Sequence, residues 1–319
     1  MKIFAAAILI LLTTTAAARF NERVSNYYLF LNQASRCDAE GKIDSAIYFA
    51  KRATNNYSHG SKAFTFLAGL YIKQQDYKSA VLVYKNAILC GNIPDKINYF
   101  IERYDSVKHI AIIADFIKQI PVLSSKFYSE HYNIKLSKLV YKMYGRDQAI
   151  RGIENVYNIN DTVIADSVFS VQSYLDTAIN LPILLEYIHA YGFPEYCDLD
   201  DDLSRSFGLI IHHLLQYESR GTTELEGLVR QAVYNGQYSA YSMMLALDYR
   251  YIGKNHKQIY GTYIVQCADG SYKFDPEIND VESVDIRRSE WKQAPLKEIK
   301  NTDWRDPKLP ANYIYKPWY

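Results

Sequence analysis

The feature that most constrains this chain is a period of 34 residues near its start. Ala34, Cys37, Gly41, Ala46, Ala50 and Ala53 are answered, 34 positions on, by Ala68, Tyr71, Gln75, Ala80, Tyr84 and Ala87. Small residues at such spacings suit paired helices that approach closely, each pair burying its apolar stripe against the next. Asp44-Ser45 leads into one second helix, and Asp76-Tyr77 marks the turn into the other. The pattern has lapsed by Glu102, and Ile93-Pro94 breaks the helix. Ile110 to Ile120 reads as one more apolar helix, ended by Pro121.

Over residues 27 to 90 this arrangement resembles the tetratricopeptide repeat, a helix-turn-helix unit of that length. The resemblance implies stacked helical hairpins whose groove takes a protein or peptide, or which serve as a rigid spacer. A repeat region over residues 19–121 is therefore expected, docked on whatever follows.

Ahead of it stands an export signal, residues 1–18. Lys2 supplies the positive start, Ile3 to Leu12 the apolar run, and Ala16-Ala17-Ala18 the small-residue cleavage pattern. That run is too short for a permanent anchor. The expected location is periplasmic or extracellular, with no membrane span after cleavage. Formal charge is +1, and removing Lys2 leaves 0. Nothing in that balance draws the chain to nucleic acid or anionic lipid. An exported chain can oxidise Cys37, Cys90, Cys197 and Cys267, and four cysteines allow three pairings; free thiols are the alternative. No Cys-x-x-Cys supports a metal site, and no cofactor pattern is present. The chain holds 30 tyrosines, whose polar-tipped rings suit helix packing and interfaces alike.

Residues 122–319 read as a mostly helical second domain, so the whole is mainly α. Phe127 to Met143 is predicted to be a helix leading into Gly145-Arg146-Asp147-Gln148. Asp147 and Arg151, four apart on a helix, share a face, as a surface ion pair or as part of an anion clamp. Further helices are predicted over Ile179 to Tyr191, Leu203 to Tyr217, a stretch ending at Tyr234, and Ser239 to Tyr251. The acidic run Asp198 to Asp202 reads as a helix start. Phe207, Ile210, Ile211 and Leu214 form one buried stripe, with His212 and His213 flanking it on opposite sides. Asp248 and Arg250, two apart, cannot face each other and must find partners elsewhere. A β-hairpin is expected at about 257–275, turning through Asp269-Gly270, followed by an extended proline-containing tail.

Arg146-Asp147-Gln148-x-x-Arg151, Gly192-x-Pro194, the His212-His213 pair, Asp248-x-Arg250 and Gln258-x-Tyr260-Gly261-Thr262 together resemble the bacterial domain-of-unknown-function family 6624, over about residues 125 to 300. The resemblance implies a helical domain with a small β segment and a polar site, but no known reaction. The family histidine matches His212 or His213. Its adjacent Asp-Arg pair becomes Asp248-Tyr249-Arg250 here, and its Tyr-Gly-Thr-Gln becomes Tyr260-Gly261-Thr262-Tyr263.

Three functions are compatible with these residues. The favoured one is an exported protein- or peptide-binding module without catalysis. The second is a hydrolase or transferase on an acidic substrate, with His212 as general base and Asp248 as its orienter. Arg146, Asp147, Gln148, Arg151, Arg250, Gln258 and Tyr260 would then hold the ligand. The third is a purely structural polar network that fixes helix packing.

Overall fold

The computed structural model describes residues 20–56, 61–92, 107, 109–157, 162–195, 198–266 and 272–296. The signal segment, the Ile93-Pro94 break, Cys197, Cys267, the Asp269-Gly270 turn and the C-terminal tail lie outside the described residues. The described chain is predominantly α-helical.

Four helices open the order: α1 (Glu22–Ala39), α2 (Ile43–Asn56), α3 (Ser61–Lys73) and α4 (Tyr77–Leu89). Each packs against the next, and α4 packs against α5 (Ala111–Glu130). Ala34, Ala46, Ala50, Ala68 and Ala80 are fully enclosed, because the helices approach where no side chain extends beyond Cβ. The two inter-helix turns are the same turn. Lys42 N donates to Cys37 O, and Asp76 N to Tyr71 O, with Gly41 and Gln75 at matching left-handed φ of 73° and 63°. Lys73 and Asp38 link α3 to α1 through an ion pair at 2.6 Å.

Pro121 lies inside α5 rather than ending it. A proline removes one backbone bond, but Ile113, Phe116 and Ile120 before it and Phe127 after it are all buried, holding the helix on both sides. The break instead comes at residues 131–133, before α6 (Ile134–Tyr157), so Asp147 sits within a helix rather than at its start.

The second half continues with α7 (Thr162–Tyr174), a π-helical turn (Leu175–Asn180), α8 (Leu181–Tyr191), α9 (Asp201–Leu214), α10 (Arg220–Asn235) and α11 (Ala240–Asn255). Caps explain the boundaries: Asp200, Ser219 and Ser239 each accept a backbone N–H of the first turn, and Gly236 closes α10 at left-handed φ. Leu136, Met143, Leu184, Ile211, Val229 and Met243 meet in its core. Beyond α11, β1 (Ile264–Gln266) pairs antiparallel with β2 (Tyr272–Phe274), Ile264 opposite Phe274. A short helix α12 (Val284–Glu290) follows.

The two halves touch closely. Asn21 N donates to Tyr234 O, and the Phe20 ring stands edge-on to Tyr234 at 5.1 Å. Gly91, at φ 84°, accepts from Asp201 N; a Cβ there would stand 2.6 Å from Leu199 O. Only glycine permits that approach.

Candidate functional site

The polar residues do not gather at one point. They fall into three groups, built by different elements.

The first group lies where the π-helical turn packs against α6 and α9. Asp147 Oδ1 accepts from Arg151 Nε at 2.9 Å and from His213 Nδ1 at 2.9 Å, while Oδ2 accepts from Gln148 at 2.6 Å. A carboxylate only accepts, so Nδ1 of His213 carries the proton. Arg151 reaches on to Asp176 Oδ2 at 3.2 Å, which also accepts from Tyr217 Oη at 3.0 Å. Gln172 faces Arg151, and the amide orientation presenting its oxygen satisfies both groups. Asp147 is 2% exposed, Asp176 1% and His213 3%. Burial pushes the Asp147 carboxyl up, yet the hydrogen bonds and charges of His213 and Arg151 prevail and hold it below its ordinary value. Asp176 goes the other way: burial and then the neighbouring Asp147 charge raise it, against Arg151 and Tyr217.

His213, not His212, therefore meets the Arg-Asp-Gln segment. The His212 ring lies 5.0 Å from that of Tyr249, tilted by 53°, and its Nδ1 is enclosed without a hydrogen-bond partner. Burial, then the neighbouring His213 and Arg151 charges, push its pKa down to about 3. A base that weak is unsuited to accept a proton near neutrality. The rings of Tyr249 and Tyr263 stand 6.4 Å apart.

Asp248 and Gln258 form the second group. Asp248, fully enclosed in the middle of α11, accepts from Ile259 N, Tyr260 N, Thr262 N and Thr262 Oγ1 at 2.6–3.0 Å. Its carboxylate is taken up by the 259–262 loop and does not orient His212. Burial raises its pKa, opposed by those four bonds. Gln258 bridges Tyr263 N, Tyr263 O and Pro276 O. From the other side Arg287 and buried Arg288 donate to the carbonyls of Ile259 and Tyr260. Gly261, at φ 69°, allows the loop to turn.

Arg250 and Tyr260 belong to the third group, in a cleft between α10 and α11. Arg250 pairs with Glu226 at 2.8 Å. Arg146 joins none of the three; its Nε is enclosed without a partner.

Glu226, which reads from the sequence as the capping-box partner of Thr223, instead pairs with Arg230 and Arg250, and Ser219 caps the helix. Asp176 and Tyr217 were not singled out in the sequence, though one signal was there. Gln172, Asp176 and Asn180 recur every four residues, and all three are buried. Such a stripe marks a buried polar seam.

Among the described residues no group of His, Cys, Asp and Glu is placed to hold a metal, and no helix is long and apolar enough to cross a membrane. Cys37 is a free thiol. No family model matches this chain, and neither a curated protein nor a solved structure shows significant similarity to it.

Proposed function

We propose that the Asp147–His213–Arg151–Asp176 set is a structural polar lock that fixes α6, the π-helical turn and α9 against one another, in an exported helical protein without catalysis. One observation carries this reading: both carboxylates and the imidazole are almost wholly enclosed, and they hydrogen-bond to one another and to Gln148, Arg151 and Tyr217 beside them. Such a network specifies one packing when it is satisfied. The matching turns at Gly41 and Gln75 support reading residues 27 to 90 as tetratricopeptide-like hairpins, and such hairpins would offer a protein or peptide surface. Membership of domain-of-unknown-function family 6624 rests on the residue pattern alone. Urea unfolding of Asp147→Asn tests the lock: a loss of about 3 kcal/mol is expected for a broken buried pair. Stability unchanged from the parent would remove it.

A catalytic reading is favoured by a single feature, the Asp147 carboxylate on His213 Nδ1, which leaves Nε2 as the basic nitrogen. In that reading His213 is the base and Arg151 the anion clamp. A hydrolytic or transfer activity lost in a stably folded His213→Gln would favour it over the lock.

A further inference from the structure

We propose that the cleft between α10 and α11 binds a small organic anion, its carboxylate or phosphate group held by Arg250 with Lys254 and its body lying against tyrosine rings. The cleft has a volume of about 760 Å3, within the roughly 300–1,000 Å3 of small-molecule sites. Arg230, Arg250 and Lys254 face Glu218 and Glu226 across it, so three cations meet two carboxylates.

The arrangement of those charges is specific. Glu226 Oε1 accepts from both Nε and a terminal nitrogen of Arg230, at 2.9 and 2.7 Å, and Oε2 pairs with Arg250 at 2.8 Å. Burial opposes its ionisation, but the hydrogen bonds from Arg230 and Arg250 hold Glu226 below its ordinary pKa, so it is anionic at neutrality. One carboxylate thus serves two guanidinium groups, and a positive charge remains at the wall. Arg250 spends one of its five N–H donors on Glu226. Its side chain stays 23% exposed, within reach of a ligand. Glu226 aligns the guanidinium in advance, which lowers the ordering cost of a bidentate contact. Lys254, at the rim, pairs with Glu218 through two half-exposed side chains, a link worth little and readily exchanged.

The rest of the lining supplies the body of the site. Leu247 and Ile259 give an apolar floor, while Tyr217, Tyr251 and Tyr260 present rings. This combination of flat apolar surface and a fixed cation fits an anion on a ring better than a bare inorganic ion. The inference does not depend on the role of the buried network.

Isothermal titration calorimetry of the full chain with benzoate, phenyl phosphate and neutral benzamide tests it. The two anions separate carboxylate from phosphate recognition. Saturable binding of at least one anion is expected, with benzamide bound more weakly. Arg250→Gln should weaken the bound anion by about tenfold. Lys254→Gln leaves the Glu226 cluster intact and should weaken it by a smaller factor. No saturation by either anion at millimolar concentration would overturn the proposal. So would benzamide binding as tightly as the anions, or both variants binding like the parent.

Discussion

Asp147 Oδ1 stands 2.9 Å from His213 Nδ1, joining two residues 66 positions apart on different helices. The same oxygen accepts from Arg151, whose guanidinium continues to Asp176. The two carboxylates therefore share one arginine but differ in state. Asp147 is held ionised, whereas Asp176 is pushed toward its neutral form by burial and by Asp147. Replacing each with its uncharged isostere should separate them. Asp147→Asn is expected to cost about 3 kcal/mol, as for a broken buried pair. Asp176→Asn is expected to cost about 1 kcal/mol or less, because much of what it removes is a charge the site disfavours. Urea denaturation at pH 7 measures both.

A pH effect follows from His212. Its folded pKa lies near 3, below the ordinary 6.5. As pH falls below that ordinary value, the unfolded chain takes up a proton that the folded chain refuses, so stability decreases until the folded pKa is reached. The slope is at most about 1.4 kcal/mol per pH unit. Asp176 and Asp248, both raised, act oppositely in mildly acidic solution, since their folded forms take up protons first. Comparing the parent with His212→Asn isolates the histidine. Between about pH 6 and 4 the parent should lose stability relative to the variant as acid is added.

Asp248→Asn should loosen the 259–262 loop. One amide oxygen cannot replace two carboxylate oxygens that take four hydrogen bonds. A loss of about 2–4 kcal/mol is expected from backbone donors left without an acceptor. Hydrogen exchange at the amides of Ile259, Tyr260 and Thr262 should accelerate, while the α1–α2 hairpin keeps its protection.

Gln75 occupies a left-handed turn at φ 63°, where its repeat counterpart is Gly41 at 73°. A side chain in that region costs about 1 kcal/mol. Gln75→Gly is therefore predicted to stabilise the protein by up to about that amount, read as a higher midpoint in thermal unfolding.

Most of the helices were legible in the sequence because their signals are local, though α7 was not among those predicted. The alanine period located α1 to α4, and the stripe of Phe207, Ile210, Ile211 and Leu214 located α9, all four being buried. Pro121 misled, since buried residues on both sides hold α5 together across it. The candidate site was less legible. Spacing placed Asp147 and Arg151 on one face, as the structure has them. Their joining to His213 and Asp176 depends on how α6, α9 and the π-helical turn cross, which no local pattern carries. Asp248 was a natural orienter for a histidine until the 259–262 loop folded back onto its carboxylate.

The structural lock is tested most directly by a double-mutant cycle on Asp147→Asn and His213→Gln, followed by urea unfolding at neutral pH. The account predicts strong coupling between the two changes, on the order of 1.5 kcal/mol or more. Losses that simply add, to within about 0.5 kcal/mol, would show that the two side chains do not act as one unit.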